Sequence, residues 1–329
     1  MVEWSDARPS SWVTYAELGT SAQDLVAAFN MSKAKPAPTP FLSGVKISRK
    51  DNAQNEKERA EMKEKPLRRL VGMLMFLARC TRPDILTAVV ILARYQVDPG
   101  PLHWKWGMHI LRYLAGTLDL GIVYGKCNVD RKSHVQYVPY SMYHDSDWAG
   151  CPDDAKSTTG WISFSWGGAI SWHSTKQKCN AQSSCEAEYI ASNEAARETV
   201  WSIRLLESMG HTKEDIHATQ RSSSLSNAEY DPAEYLRKFP SEQTQSGHNP
   251  IVMFCDSTAA IANTKNPGRD HRRMKHISNR YHYVRDLVKQ GVLDVCKVHT
   301  DDNVADILTK DLKREVFLRH GSSYAFWSR

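Results

Sequence analysis

The chain contains no C-x-x-C pair. Its seven cysteines, Cys80, Cys127, Cys151, Cys179, Cys185, Cys255 and Cys296, are odd in number and scattered. That spacing argues against a disulfide framework and against a zinc ribbon or finger, and points to reduced thiols. Long apolar runs are also missing. The longest, within DILTAVVILARY, is too short to span a bilayer, so no membrane partner is expected. The start, MVEWSDARPSSW, lacks the apolar core of a secretory signal, which leads us to expect an intracellular protein that is not secreted. No strong charge excess occurs either. Lys and Arg number 43 against 37 Asp and Glu, a net charge of +6 that permits a polyanionic partner without demanding one. No internal repeat is visible.

What is present is enough apolar residue, 41%, to build globular cores over 329 residues, a length that suggests about two domains. Residues 1–65 read as a partly disordered segment. It carries a short helix at Ala22–Asn30, a Pro-rich linker KAKPAPTPFLSG, and a polar stretch at 50–65 that is disordered or a solvated helix. Residues 66–119 read as three helices, each with a proline at its start or in its first turn, Pro66, Pro83 and Pro101, and the last closed by Gly116.

From Leu120 the period turns to that of strands. LGIVYG and HVQYVPYSMYHD read as neighbouring strands, and WISFS and AISWHS as a hairpin around Gly167-Gly168. A long helix from Glu186 to about Met209 carries Ala187, Ala191, Ala195, Leu205 and Leu206 on one stripe. Residues 212–248 are polar and aperiodic, an expected surface insertion. PIVMFCD is a buried strand, followed by a short helix from Ser257 and a basic loop, NPGRDHRRMK. A helix closed by Gly291, the strand VLDVCKVHT and a last helix, NVADILTKDL, complete the order.

Along this order lie four carboxylates: Asp145 on a strand, Glu188 opening a helix, Asp256 at a strand end and Asp306 opening the last helix. Carboxylate oxygens are hard ligands suited to Mg²⁺, and four of them can hold two ions. Two choices stay open on geometry alone. Asp145 and Asp147 share a strand face. Glu186 and Glu188 both lie in the first turns of a helix, where Glu186 is a natural partner of the helix dipole. Asp256 and Asp306 also sit where ordinary helix caps sit.

The words around these residues narrow the field. DSDWAGCPDDAKSTTG, SWHSTKQKCNAQSSCEAEYIA, FCDSTAAIA, KHISNRYHYVR and NVADILTK closely resemble the ribonuclease H domain of copia-type LTR retrotransposon Pol polyproteins. LVGMLMFLARCTRPDILTAVVILARY and HWKWGMHILRYLAGTLDLGIVY resemble the segment that joins that family's reverse transcriptase to its ribonuclease H.

The resemblance implies a ribonuclease H-like α/β fold over residues 120–320, a mixed five-stranded sheet flanked by helices. The small helical domain at 66–119 precedes it as a thumb or connection remnant. It further implies Asp145, Glu188, Asp256 and Asp306 as ligands of two Mg²⁺ ions, with Mn²⁺ as an alternative. Asp145 and Glu188 match the family pattern better than Asp147 and Glu186. The implied chemistry is hydrolysis of the RNA strand of an RNA–DNA hybrid. One metal lowers the pKa of the attacking water and the other stabilises the leaving 3′ oxygen. The 2′-OH is what separates RNA from DNA.

Basic residues supply an expected hybrid-binding surface: Lys176, Lys178, Arg272, Arg273, Lys275, His276 and Arg280. His299, in the loop before the last helix, is expected to be a solvated loop residue. The family's Tyr-x-Asp-Asp polymerase strand, an integrase HHCC word and a protease D-[ST]-G word are all absent. Polymerase, integrase and protease activities are therefore not expected here, and the remainder of a Pol polyprotein, with its palm, is the implied partner. The alternatives are a non-catalytic nucleic-acid-binding module and an inert remnant. The expectation that separates them is geometric: the four carboxyl groups must lie within about 4–8 Å, as two-metal chemistry requires.

Overall fold

A computed structural model of the chain describes residues 21–42, 44–124, 140–212, 216, 250–265 and 282–323. Its centre is a five-stranded sheet in the order β3-β2-β1-β4-β5. The strands are β1 (Ser141–Asp147), β2 (Thr158–Ser165), β3 (Gly168–Lys176), β4 (Ile251–Cys255) and β5 (Leu293–Lys297). β1 pairs antiparallel with β2 and parallel with β4, and β4 pairs parallel with β5. The sheet is therefore mixed. All residues of β2 and β4 are buried, as strands covered on both faces must be.

The hairpin turns at Trp166-Gly167, one residue earlier than the Gly-Gly pair suggests. Both residues have positive φ, 50° and 77°, as a turn matched to the twist of the flanking strands requires. Gly168 instead begins β3, paired with Ser165. There a Cβ would meet the carbonyl of Val123 at 2.6 Å. That close passage explains a second departure. Leu120–Tyr124 forms no strand. The segment lies over the start of β3, held by a hydrogen bond from the Tyr124 hydroxyl to the Ala169 carbonyl at 2.6 Å.

One face of the sheet is covered by α6 (Ser184–Ser208), α7 (Thr258–Lys265) and α8 (Tyr283–Lys289). The N-cap of α6 is Ser183, whose hydroxyl accepts the Glu186 backbone N–H at 3.2 Å. Ala187, Ala191, Ala195 and Leu206 are buried on its inner stripe, whereas Leu205 is exposed.

The other face carries the helical segments: α1 (Ala22–Ala28), α2 (Glu56–Lys63), α3 (Leu67–Cys80), α4 (Leu86–Ala93), α5 (Pro101–Ala115) and α9 (Arg314–Ser323). A 3₁₀ turn, Pro83–Ile85, leads into α4. α2 is the solvated helix of the polar stretch, with only Met62 buried. Leu70, Leu74, Val89, Leu92, Ile110 and Leu114 share one apolar core with Ile162, Phe164, Val304 and Ile307 of the sheet region. Polar contacts cross the same boundary. Trp172 donates its indole N–H to the Ala78 carbonyl at 2.8 Å, and Thr87 donates to the Ile307 carbonyl at 2.9 Å.

The expected last α-helix over NVADILTKDL is instead a 3₁₀ helix, Val304–Leu308, with Asn303 as its cap. The tighter winding has a visible cause. Asn303 is fully buried and donates to the His144 carbonyl at 3.1 Å, which ties the start of the turn to β1. Among the described residues no helix is long and apolar enough to cross a membrane. The insertion at 212–248 lies outside them apart from Thr212 and Ile216. Ile216 is buried and accepts the Tyr140 N–H at 3.3 Å.

Candidate metal centre

β1 and β4 are parallel neighbours at the middle of the sheet, so their C-terminal ends open at the same edge. Asp145 lies near the end of β1 and Asp256 directly after β4. Carboxylate oxygens of Asp145, Asp256 and Asp306 lie within 4.8 Å of one another. Glu188 joins them from α6. Its Oε1 accepts the Ser146 backbone N–H at 3.2 Å, one residue from Asp145. Asp145, Glu188 and Asp306 are buried; Asp256 is half-buried.

A glycine allows Asp306 to reach this cluster. Gly160 is the ladder partner of Asp145. A Cβ there would stand 2.7 Å from Thr309 Cγ2 and 2.9 Å from the Leu308 carbonyl. Without a side chain at 160, the segment after the 3₁₀ helix lies directly on the sheet. Thr309 then donates its hydroxyl to Asp145 Oδ2.

The electrostatics follow from crowding acids in a dry place. Burial, then the charges of Asp145 and Asp256, hold the Glu188 carboxyl well above the ordinary range. Burial and the Asp145 charge push Asp306 up to about 8. Asp256 is raised for the same two reasons. One cation is seated among them. Lys310 Nζ is 3.0 Å from Asp306 Oδ1 and 3.5 Å from Asp145 Oδ2, and these charges raise its own pKa. Neither Lys310 nor Thr309 stands out within NVADILTK as a sequence, because their contacts with Asp306 and Asp145 are made in the turn after the 3₁₀ helix.

The alternative carboxylates point elsewhere. Asp147 accepts the Thr158 backbone N–H and packs against Gly150, bracing the β1–β2 connection. Burial pushes it up to about 6. Glu186 accepts the Gln182 N–H at 2.8 Å and serves the start of α6. Lys176 is tied to Asp154 at 2.8 Å, and Lys178 is exposed. Arg272, Arg273, Lys275, His276 and Arg280 lie outside the described residues. His299 is an exposed loop residue whose Nδ1 accepts the Asp301 N–H at 3.2 Å.

Four carboxylates converging on the edge of a dry sheet are a donor set of hard oxygens. Such a set fits Mg²⁺ or Mn²⁺ and suits thiophilic ions poorly. Held apart from a cation, these groups make the protein pH-sensitive in a defined direction. Asp306 titrates near about 8 in the folded chain and near 3.8 when unfolded. The folded state therefore binds that proton more tightly, and the stability it contributes is lost as pH rises towards about 8. His144 and His320 act oppositely. Burial holds both near about 4, so they cost stability only as pH falls below 6.5. In chelator, the melting temperature should fall between about pH 6.5 and about pH 9, and saturating Mg²⁺ should largely remove that fall. A flat profile in chelator would mean that the acids are not pressed together in solution.

The strand order and the acidic edge define a ribonuclease H-like α/β protein. The chain is 37% identical over 290 residues to the Pol polyprotein from transposon TNT 1-94 of Nicotiana tabacum, and 35% identical over 294 residues to that from transposon RE2 of Arabidopsis thaliana. These matches cover 88% and 89% of this chain but 18% and 17% of the relatives, so the chain spans less than a fifth of their length. Over about nine-tenths of its length the chain is homologous to copia-type retrotransposon Pol polyproteins. No protein-family model matches it. Among solved structures, ribonuclease H1 of Halobacterium salinarum NRC-1 aligns with 52% of this chain and 94% of its own, at 15% identity and a TM-score of 0.29. The fold assignment rests on the strand order rather than on that overlap.

Proposed function

We propose that residues 120–320 form a Mg²⁺-dependent endonuclease that cuts the RNA strand of RNA–DNA hybrids, with residues 66–119 as a connection segment packed against it. The observation that carries this reading is the mutual approach of Asp145, Asp256 and Asp306 within 4.8 Å, with Glu188 beside them. These four residues would hold two Mg²⁺ ions, or Mn²⁺ in their place. When bound, the ions supply Lewis acidity that lowers the pKa of the attacking water and neutralises charge on the leaving 3′ oxygen.

The chain's own groups prepare that site. The Ser146 N–H and the Thr309 hydroxyl fix the directions of Glu188 and Asp145. Lys310 offsets part of the acidic charge and keeps Asp145 and Asp306 together. A groove of about 580 Å³ beside the site is lined by Lys46, Arg94 and Lys310, with Asp147 and Asp311 among them, and by the exposed Trp148. Cations and an indole in one groove suit a strand of nucleic acid.

The second reading is a non-catalytic binder, and one observation favours it: the Lys310 ammonium lies where a cation between Asp145 and Asp306 would lie. Incubation of the chain with an end-labelled RNA–DNA hybrid and Mg²⁺ separates the two. Cutting of the RNA strand alone, stopped by chelator, is the expected result. Salt-dependent binding with no cutting in Mg²⁺ or Mn²⁺ would leave only the binder.

A further inference from the structure

Glu188 looks two ways. Towards the sheet edge it meets the acids. Towards the interior it meets His144 of β1 and Cys255 of β4. A ring nitrogen of His144, a carboxylate oxygen of Glu188 and the Cys255 sulfur lie within 4.8 Å of one another. The Cys255 Sγ to Glu188 Oε2 distance is 3.9 Å. His144 and Cys255 are fully buried, each at 0% exposure.

The Ser192 hydroxyl lies 3.0 Å from the Glu188 backbone carbonyl and 3.2 Å from His144 Nε2. With its one proton on the carbonyl, it accepts from Nε2, and the ring proton sits there. Nδ1 is left as a bare lone pair, buried and without a hydrogen-bond partner. Such a group points to a ligand. Imidazole, thiolate and carboxylate form a donor set of the kind that takes Zn²⁺, and the sulfur disfavours Mg²⁺.

We propose that His144, Glu188 and Cys255 form a second, softer metal site that takes a thiophilic divalent ion such as Zn²⁺ or Cd²⁺. Binding forms a metal–sulfur bond and releases the thiol proton to solvent. Ligand bonds of about 2.0–2.3 Å require the three side chains to close on the ion by roughly 1 Å. Entry is from the acidic edge, where Asp256 is half-buried and where Glu188, bonded to the Ser146 N–H, neighbours the carboxylates. An ion held inside draws Glu188 away from the carboxylate cluster. This inhibitory consequence rests on the nuclease reading; the binding itself does not.

Cd²⁺ is the probe, because a thiolate–cadmium bond gives an ultraviolet charge-transfer band. In the full chain with excess Mg²⁺, Cd²⁺ should raise a saturable band. Cys255→Ser should abolish the tightest phase of that band, and Cys296→Ser, at a buried thiol on β5, should keep it. Zn²⁺ should displace the band, and hybrid cleavage should fall in step with its growth. A tightest phase that survives Cys255→Ser would overturn the site and assign the ion to another thiol. If that variant does not fold, X-ray absorption of the zinc-loaded wild-type chain decides. One sulfur with nitrogen and oxygen neighbours supports the site, and a shell without sulfur overturns it. A Cys255-dependent band in a chain that never cuts hybrid would sink the nuclease and leave this site standing.

Discussion

Asp145→Asn is expected to lower Mg²⁺-dependent cleavage of the hybrid's RNA strand by at least about 10²-fold, the scale of losing one preorganised electrostatic group. The same change is expected to raise the melting temperature in chelator. Both effects come from one position. Asp145 is 1% exposed, and its charge raises the pKa of Glu188, Asp256 and Asp306. Two carboxylate oxygens within 4.8 Å of one another repel by about 3 kcal/mol at an effective dielectric of about 20. Removing the charge at 145 relieves that repulsion, while an Asn oxygen still accepts the Thr309 hydroxyl. Function and stability thus move in opposite directions, as at other sites that store like charge. Cleavage assays and melts on one preparation check both arms. Undiminished cleavage by the Asn variant would remove Asp145 from the site, and a lower melting temperature would mean that its charge is already compensated.

The carboxylates were legible because each sits in a word that also fixes its element. Asp145 lies near the end of β1, Asp256 follows the apolar strand β4, and Glu188 lies in the first turns of a helix whose alanines mark a buried face. Their convergence was not legible, because it depends on strand order and on the bare ladder position at Gly160. Lys310 and Thr309 escaped for a related reason. Their contacts with Asp145 run between residues some 164 positions apart, which local spacing does not report. His144 and Cys255 look like ordinary apolar-face residues in sequence. Only the packing of α6 against β1 and β4 brings them to Glu188. LGIVYG carries the alternation of a strand, yet docking on β3 overrides it, as tertiary contacts commonly override β-propensity.

The helical segments before β1 read as a small domain of their own. Arg82 offers a sharp test of how they fold. Its guanidinium is 4% exposed and forks onto Asp84, with Nε–Oδ1 at 3.0 Å and Nη2–Oδ2 at 2.8 Å. It also donates to the Thr117 carbonyl and hydroxyl, at 2.9 and 2.7 Å, which pins the end of α5. Tyr113 completes the set by donating to Asp84 at 2.7 Å. Arg82→Ala leaves a buried carboxylate without its cation, a loss of about 3–5 kcal/mol. Arg82→Lys should recover only part of it, because one ammonium cannot reproduce the planar fork. The corner that Arg82 closes leads directly into α4, and Thr87 of α4 holds the 3₁₀ segment that carries Asp306. The shared core of these helices with β2 and the Val304–Leu308 turn makes one cooperative unit. Arg82→Ala should therefore lower a single melting transition by roughly 10 °C. It should also weaken Mg²⁺ stabilisation, although Arg82 is absent from the acidic cluster. Two separate transitions, with only the first moved and the Mg²⁺ response intact, would show that the helices fold as an independent domain and that the metal centre does not depend on them.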